Sequence, residues 1–300
     1  MSAAVAFADL PPAPRRLRVG MPQLNAGGLS EGWLLRHAGD LHWEAISRKL
    51  GVASDEIRGE ESNRLYPTVV ALRARYEVPL ASVRENDVLD ASAEVVSCGG
   101  ACAHGRVVAA VSGRRLALEL LTTFAARRPD GELRMALPAA RLAARWAPVE
   151  PPPALAGLAR AARRRERLDD PFAGPLLDVG QAPLGSTRHE PSPYADYNGA
   201  GLLYFASFAT IADTGERQLV RRLGLAPRSL PDWALATSTV RRDLFFYGNL
   251  PLGESLVVEL LGLVWEGDAS VKTRVRLRRQ RDGLVMANVV TRRALLGVSP

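Results

Sequence analysis

The chain has 300 residues, 47% of them hydrophobic and 24% charged, which excludes fibrous and disordered proteins and leaves enough apolar residues for one large core or two smaller ones. It contains no apolar run of membrane-spanning length, no recognisable secretion signal and only two cysteines, so we expect a cytoplasmic protein without disulfides or membrane insertion. The 39 basic and 32 acidic residues give a net charge of +7, which favours anionic partners, but basic and aromatic residues do not alternate as nucleic-acid binding would require.

The predicted elements follow the order helix then sheet, twice. Apolar residues recur at helical spacing after Ser30, a candidate N-cap, and this pattern predicts one long helix that ends near Gly51. From Leu65 to Thr123 the pattern changes to short β-rich runs separated by turns, which predicts an antiparallel sheet. After a Pro- and Arg-rich stretch, a second apolar helix begins beyond residue 200 and is again followed by strand-like runs.

Two short matches indicate an internal duplication. One pairs Glu85-Asn86-Asp87-Val88-Leu89 with Leu252-Gly253-Glu254-Ser255-Leu256, an offset of 167 (254 minus 87). Asn25-Ala26-Gly27-Gly28-Leu29 precedes the first helix and Asn198-Gly199-Ala200-Gly201-Leu202 the second, an offset of 173 (198 minus 25). A long helix wrapped by an antiparallel sheet is the hot-dog arrangement, so we predict an α+β fold with two tandem copies, a double hot-dog. An unrelated two-domain α+β protein is the alternative. The predicted units are an N-terminal arm at 1–20, a first hot-dog domain at 21–147, a connection at 148–189 and a second hot-dog domain at 190–300.

The run from Tyr194 to Phe205 resembles the signature of hot-dog acyl-thioester hydrolases. Backbone N–H groups around Gly201 and Leu202 are expected to point at a thioester oxygen. Where those hydrolases carry their second acid, this chain has Asn198, whose carboxamide donates hydrogen bonds but neither attacks a carbonyl nor takes a proton at neutral pH. Simple hydrolysis is therefore not expected at this position, and Asp196 is either an acid or a cap of the turn.

The histidines and cysteines do not predict a dehydratase or a metal site. Hot-dog dehydratases use a catalytic histidine, but His37 and His42 are five residues apart and lie on different faces of the first helix. His104 follows Cys98 and Cys102 at a spacing that matches no usual zinc site, so this segment is predicted to be a Gly-rich hairpin tip. We predict no bound metal.

Three segments carry a closer resemblance: MPQLNAGGLSEGWLLRHAGDLHW, NRLYPTVV and DYNGAGLLYFASF. Together they resemble the double hot-dog acyltransferase/decarboxylase of leinamycin biosynthesis and its polyketide-pathway relatives, over residues 20–145 and 190–296. The resemblance implies a bifunctional enzyme that decarboxylates methylmalonyl-CoA and passes the propionyl group to the phosphopantetheine arm of an acyl carrier protein. It implies no cofactor beyond the coenzyme A thioester that serves as substrate.

The resemblance also implies a role for Tyr66. In that family a tyrosine on the strand after the first helix is proposed to carry the acyl group as an ester, and Tyr66 is the matching residue. Arg64 shares its strand face and is positioned to assist electrostatically. The alternative is that Tyr66 only closes the pocket or donates a hydrogen bond to the thioester oxygen.

Decarboxylation of a malonyl thioester requires hydrogen-bond donors at the oxygen where negative charge develops. Asn198, with backbone N–H groups near Gly201, is the candidate for this enolate oxygen. The hydroxyls of Thr122, Thr123 and Ser207 are candidates for holding the substrate carboxylate. Against these assignments, adjacent threonines on a strand face opposite ways, and a serine on a packed helix often satisfies only a backbone carbonyl.

Two further functions remain open at this point. One is a decarboxylase or thioesterase on the same frame without a stable acyl-enzyme, and the other is a non-catalytic module that binds an acyl carrier protein. The Arg-rich stretch at 160–167 suits docking of an acidic carrier protein or of coenzyme A phosphates, or is a plain solvated helix face. Monomer and homodimer are both compatible with the sequence.

Overall fold

The computed structural model describes residues 14–128, 133–143, 154–164, 182–227, 233, 235–267 and 269–296. Within these ranges the helices are α1 (Glu31–Leu50), α2 (Ala140–Ala143), α3 (Ala154–Arg164) and α4 (Phe205–Arg222). The strands are β1 (Arg15–Arg18), β2 (Leu24–Asn25), β3 (Gly28–Leu29), β4 (Leu65–Tyr76), β5 (Val88–Ser97), β6 (Cys102–Val111), β7 (Arg114–Arg127), β8 (Leu133–Met135), β9 (Gly185–His189), β10 (Thr237–Phe246), β11 (Leu256–Glu266), β12 (Ser270–Arg279) and β13 (Val285–Leu295).

The first long helix begins and ends where the local sequence directs it. Ser30 caps α1 by accepting a hydrogen bond from the backbone N–H of Trp33 at 3.3 Å, and Gly51 ends it in the left-handed conformation with φ of 68°. Leu34, Leu35 and Ile46 are buried on one face of the helix. The predicted helix is therefore confirmed at both ends.

The strand order of the large sheet is symmetric about its centre: each half of the chain contributes its strands in the same order from edge to centre. In the described chain its order is β1-β5-β6-β7-β4-β10-β13-β12-β11-β9, every neighbouring pair is antiparallel, and β8 adds to β7. The first half supplies β1 and β4 to β8, the second half supplies β9 to β13, and β4 and β10 join them. The ladder of β4 is irregular between Val69 and Ala71, and that of β10 between Thr239 and Arg241, 170 positions later (239 minus 69).

Alternation along the central strands separates two buried faces. Leu120, Leu244 and Val289 belong to the main core, in which α1 packs on β5 and β6 while α4 packs on β9 and β11 to β13. Their neighbours Leu121, Phe245 and Val290 belong to a second apolar cluster on the opposite face, which α3 covers with Leu155, Ala156, Ala159 and Ala162. The predicted α+β fold, with long helices packed on an antiparallel sheet, is confirmed.

Buried charges link the halves beneath the two long helices. Arg242 of β10 is fully buried and donates to both carboxylate oxygens of Glu31 on α1, at 2.9 and 2.7 Å. The same guanidinium donates to Asp213 on α4 at 2.9 Å. One arginine of the second half thus fixes the start of the first-half helix.

Two short strands lie in segments where no strand was predicted. Residues Arg15–Arg18, expected in the arm, pair with β5 as an edge strand, and Gly185–His189, expected in the connection, pair with β11. Both strands are short, polar and largely exposed, so they lack the apolar alternation that marks a strand in sequence. The rest of the arm, 1–13, and residues 144–153 and 165–181 lie outside the described residues. No helix in the described part of the chain is long and apolar enough to cross a membrane.

Candidate active site

A cavity of about 640 Å³ lies where the two central strands separate. The β4–β10 ladder ends at the pair Ala71–Phe245, beyond which the earlier part of β4 pairs only with β7, while β10 continues along β13. The cavity is lined by β4 from Tyr66 to Val70, the segment from Phe246 to Asn249, the turn and helix start from Asn198 to Phe205, and one face of α3. Both faces of the sheet and both halves of the chain therefore contribute to it.

Three of the six predicted site residues line this cavity. Tyr66 and Thr123 come from the first half and Asn198 from the second. Thr122, Gly201 and Ser207 are not among its lining residues. The catalytic and binding roles of all six remain predictions, but only Tyr66, Thr123 and Asn198 line the cavity.

Tyr66 is half-buried on the wall that β4 and β7 form together. Its ring lies 5.0 Å from the guanidinium carbon of Arg64, so the two side chains share a face as predicted. Thr68, two residues on, pairs in register with Thr123, and Thr123 pairs in register with Cys102 of β6. Hydroxyl and thiol groups thus extend in a row across three strands from the tyrosine.

Asn198 lines the cavity, and its side-chain oxygen holds the turn before α4. Its Oδ1 accepts hydrogen bonds from the backbone N–H groups of Ala200 at 3.0 Å and Leu202 at 3.1 Å. The Gly201 N–H donates to the Asn198 carbonyl at 2.8 Å, and Gly201 takes the left-handed conformation with φ of 66°. Because the turn uses the N–H groups of Gly201 and Leu202, the prediction that they point at a thioester oxygen is not met. Asn198 Nδ2 has no hydrogen-bond partner among the described residues and is the available donor.

Asn249, which sequence reasoning missed, holds the turn from the other side. Its Oδ1 accepts from the Leu203 N–H at 3.0 Å, and its Nδ2 donates to the Leu203 carbonyl at 2.9 Å. This two-bond contact ties the segment after β10 to the residues that precede α4. A Gly-Asn pair after an apolar strand predicts a turn but does not indicate which distant backbone the amide will bind.

Thr122 and Ser207 satisfy neighbouring groups instead of facing the cavity. Thr122 is buried on the opposite face from Thr123, where its Oγ1 lies 3.2 Å from His42 Nε2 and 3.4 Å from the Ala103 carbonyl. Ser207 Oγ donates to the Asp196 carbonyl at 3.1 Å. Strand alternation and helix packing, both named as alternatives above, explain the two placements.

Asp196 acts as a cap. Its Oδ2 accepts from the Ser192 N–H at 2.8 Å, and its backbone carbonyl accepts from the Tyr204 N–H at the same distance. The carboxylate is thus committed to the bend that leads into the turn, in agreement with the capping interpretation.

The histidines lie away from the cavity lining. His42 is fully buried, and burial, with a smaller effect of His104, lowers its pKa to about 3, so the ring is neutral. His104 lies 3.3 Å from Glu119, and this hydrogen bond lowers the pKa of the Glu119 carboxyl. No group of three or more potential metal ligands occurs within the described residues.

Cys98 and Cys102 flank a hairpin tip at the cavity wall. Gly99 and Gly100 both have positive φ, which confirms the predicted Gly-rich tip. Both thiols line the cavity, which sequence spacing had not indicated. A hydrogen bond between the thiols lowers the pKa of Cys98 and, together with burial, raises that of Cys102.

The α4 side of the cavity is aromatic. Phe208 and Phe246 pack edge to face with ring centroids 5.3 Å apart, and Tyr204 packs edge to face on Phe205 at 4.8 Å. Burial raises the pKa of Tyr204 to about 12, so this phenol stays protonated. The cavity thus offers an apolar wall to an acyl group and donors along the Tyr66 and Asn198 sides.

Solved structures share this fold. A Lactobacillus plantarum protein described as an oleoyl thioesterase has a TM-score of 0.68 at 11% identity, covering 98% of this chain and 100% of its own. The 12:0-ACP thioesterase from Umbellularia californica has a TM-score of 0.63 at 9% identity, covering 93% and 92%. An acyl-ACP thioesterase from Bacteroides thetaiotaomicron has a TM-score of 0.57 at 11% identity, covering 93% and 96%.

No protein-family model matches the chain, and no curated protein matches its sequence significantly. At the identities above, the structural likeness establishes the fold alone. Along nearly its whole length, this chain therefore shares its fold with the three thioesterases above. The predicted resemblance is confirmed to that extent.

Proposed function

We infer that the two halves are copies of one hot-dog unit and that the cavity belongs to both. The symmetric strand order and the ladder irregularities at Val69 and Thr239 support this inference. A further support is that Asn25 Oδ1 accepts from the Gly27 N–H at 2.8 Å, the same Asx turn that Asn198 makes with Ala200.

We propose that the protein is an enzyme of acyl thioesters that decarboxylates a methylmalonyl-type coenzyme A thioester and transfers the acyl group to an acyl carrier protein. One observation carries the proposal: the phenol of Tyr66 and the free amide group of Asn198, from different halves, line one cavity with an aromatic wall. The ionisable side chains among its described lining residues are those of cysteines, tyrosines and arginines. Such a lining supplies hydrogen-bond donors, the groups that decarboxylation needs.

In the decarboxylation step, the bond between the carboxylate carbon and the α-carbon breaks and carbon dioxide leaves. The electron pair moves into the thioester, giving an enolate whose oxygen receives a hydrogen bond from Asn198 Nδ2. A solvent proton then adds to the α-carbon. Of the three predicted hydroxyl groups, Thr123 is the one whose residue lines the cavity, and we assign it to the substrate carboxylate.

In the transfer step, the Tyr66 oxygen attacks the thioester carbonyl, the carbon–sulfur bond breaks, and the phenolic proton goes to the departing coenzyme A thiolate. The carrier-protein thiol then attacks the tyrosyl ester, returns the proton to Tyr66 and carries away the acyl group. The tyrosine is unchanged after one cycle, and each step exchanges one acyl bond for another.

Intact-protein mass spectrometry with a panel of coenzyme A thioesters tests the proposal. The full chain is incubated with malonyl-, methylmalonyl- and propionyl-CoA, with and without holo carrier protein, while carbon dioxide, free coenzyme A and acyl-carrier product are measured. We expect carbon dioxide release, an acyl mass on the enzyme and an acylated carrier. The acyl mass should disappear in Tyr66→Phe and persist in the control Tyr194→Phe, because Tyr194 is 97% exposed and does not line the cavity.

Other outcomes of the same experiment identify the alternatives. Carbon dioxide release without an acyl-enzyme would favour a decarboxylase in which Tyr66 only donates a hydrogen bond. Coenzyme A release with free acid and no carbon dioxide would indicate a thioesterase. Carrier binding with no reaction would indicate a binding module, and either of the last two results would contradict the proposed function.

A further inference from the structure

One face of α3, the helix that covers the second apolar cluster, lines the cavity. Its lining residues are Ala156, Ala159, Arg160 and Arg163, which follow one helical stripe. The two alanines are buried against the sheet, whereas the two arginines are exposed. The helix therefore packs on the sheet through small side chains, and its two exposed arginines lie at the cavity.

Among the described residues that line the cavity, these two arginines leave an excess of positive charge. Neither forms an ion pair or a side-chain hydrogen bond with the described part of the chain, in contrast to Arg73 and Arg242, which are engaged by buried carboxylates. Arg160 is close enough to Cys102 for its charge to act on that thiol. Paired guanidinium groups with free donors suit the oxygens of a phosphate ester.

The distance from Cys102, the thiol on which the Arg160 charge acts, to Tyr66 follows from the geometry of the sheet. Thr68, Thr123 and Cys102 lie opposite one another on three neighbouring strands, so about 10 Å separates the first from the last at the usual strand spacing. Tyr66 is two residues farther along β4, which lengthens the path from Cys102 to about 12 Å.

A phosphopantetheine arm has the length that this span requires. Thirteen covalent bonds join its phosphorus to its sulfur, equivalent to a little more than four peptide residues, or about 15 Å when extended. An arm with its phosphate at α3 therefore brings its thioester to the Tyr66 and Asn198 side of the cavity.

We propose that Arg160 and Arg163 bind the phosphate at the base of a phosphopantetheine arm, an inference that rests on the acyl-thioester function proposed above. The phosphate receives hydrogen bonds from the two guanidinium groups, and the arm extends past Cys102 and Thr123 toward Tyr66. The same chemistry occurs in coenzyme A and in the prosthetic group of a holo carrier protein, so one site serves either source.

Calorimetric binding of matched ligands to the full chain tests this site without any turnover. We expect phosphopantetheine to bind at least about tenfold more tightly than pantetheine, which lacks the phosphate. In the double variant Arg160→Gln/Arg163→Gln this preference should fall below about threefold. Arg160→Lys/Arg163→Lys should restore part of it, because the charge returns without the bidentate geometry.

The control is Arg114→Gln/Arg115→Gln, which removes the same charge from two exposed arginines at the far end of β7 and should leave the preference intact. Binding of coenzyme A and of holo carrier protein is measured as well. Loss of affinity for either one in the double variant supports the site and shows which molecule supplies the phosphate. Equal binding of phosphopantetheine and pantetheine by the native chain would overturn the proposal, as would an unchanged preference in the double variant. Because these measurements need no catalysis, a failed activity assay leaves their result unaffected.

Discussion

Asn198 has two functions that a single substitution can separate. Its oxygen holds the turn before α4 through Ala200 and Leu202, while its amide nitrogen has no partner in the described structure. Replacement by alanine removes both groups and loosens the turn. Replacement by aspartate keeps an acceptor oxygen for the turn and exchanges only the donor for a carboxylate oxygen of similar size.

We therefore expect Asn198→Asp to keep its thermal midpoint within a few degrees of the native value while decarboxylation falls by about 100-fold or more. The physical reason is that a carboxylate repels the negative charge that develops on the enolate oxygen. Carbon dioxide release and differential scanning calorimetry on the same preparation measure the two effects. A variant that folds normally and decarboxylates at the native rate would remove Asn198 from the mechanism.

His42 makes the stability of the fold depend on pH. The ring is fully buried, its Nδ1 has no partner within the described residues, and it packs so tightly on β6 that a Cβ at Gly105 would lie 1.9 Å from Nδ1. Its pKa is about 3 in the folded chain, against about 6.5 when unfolded. The unfolded state thus binds a proton in a range where the folded state does not.

The resulting stabilisation is complete above pH 6.5 and is lost as the pH falls toward 3. Between pH 6.5 and 4.5, His42 should remove about 2 kcal/mol from the free energy of unfolding. Urea denaturation at several pH values measures this slope, with His42→Gln as the reference that cannot titrate. If the native chain and this variant lose stability in parallel over that interval, the ring does not carry the effect.

At the scale of elements, the pairing of β4 with β10 is the contact that joins the two half-sheets. Arg73 and Asp243 face each other in register, and Arg73 donates from Nε at 3.0 Å and from Nη2 at 2.8 Å to the two carboxylate oxygens. Both side chains are almost completely buried. A buried pair of this kind is costly to break on one side only, because the remaining charge loses its partner.

Asp243→Leu and Arg73→Met should each destabilise the fold by about 3–5 kcal/mol, and the double variant by clearly less than the sum. Chemical denaturation of the four proteins gives the coupling energy directly. Simple additivity of the two single effects would mean that the halves are held together at this position by backbone pairing alone.

The elements themselves could be predicted wherever their signals are local. Ser30, the apolar spacing and Gly51 define α1 within twenty residues of sequence, and the hairpin at Gly99 and Gly100 follows from the same kind of evidence. Prediction failed where an element depends on a distant partner: β1 and β9 are polar edge strands that form because β5 and β11 are present to pair with them.

The candidate site was predictable to the same extent. The turn at Asn198 and the strand position of Tyr66 follow from motifs, and both lie at the cavity. Thr122 was misplaced because the adjacent Thr123 occupies the cavity face, and pattern alone does not show which face that is. Asn249 reaches the site only through tertiary packing, so sequence spacing could not assign it. The stretch 160–167 was predicted to suit a carrier protein or coenzyme A phosphates, but its sequence did not show that Arg160 and Arg163 line the same cavity as Tyr66.

For the whole molecule, the two halves share a strand order but differ at the starts of their long helices. At α1, Glu31 is buried against Arg242, and Leu80 covers the preceding turn so closely that a Cβ at Gly28 would lie 2.4 Å from its carbonyl oxygen. At α4 the position with the same offset is Tyr204, which lines the cavity. The second turn therefore lies at an open cavity, whereas the Glu31–Arg242 ion pair fills the corresponding space at the first turn.

This asymmetry predicts unequal effects of matched substitutions in the two Asx turns. Asn25→Ala removes one hydrogen bond, to the Gly27 N–H, and should cost about 1 kcal/mol of stability while leaving carbon dioxide release within twofold of native. Asn198→Ala removes two turn hydrogen bonds, from the N–H groups of Ala200 and Leu202, so it should cost more stability. It also removes the amide donor of a cavity-lining residue, so its rate should fall by about 100-fold or more. Steady-state rates and denaturation midpoints are measured for both variants. Both should lose stability, but only Asn198→Ala should lose rate. Equal losses of rate would mean that the first turn also contributes to the reaction, and that the closure seen at Leu80 and Gly28 opens when substrate binds.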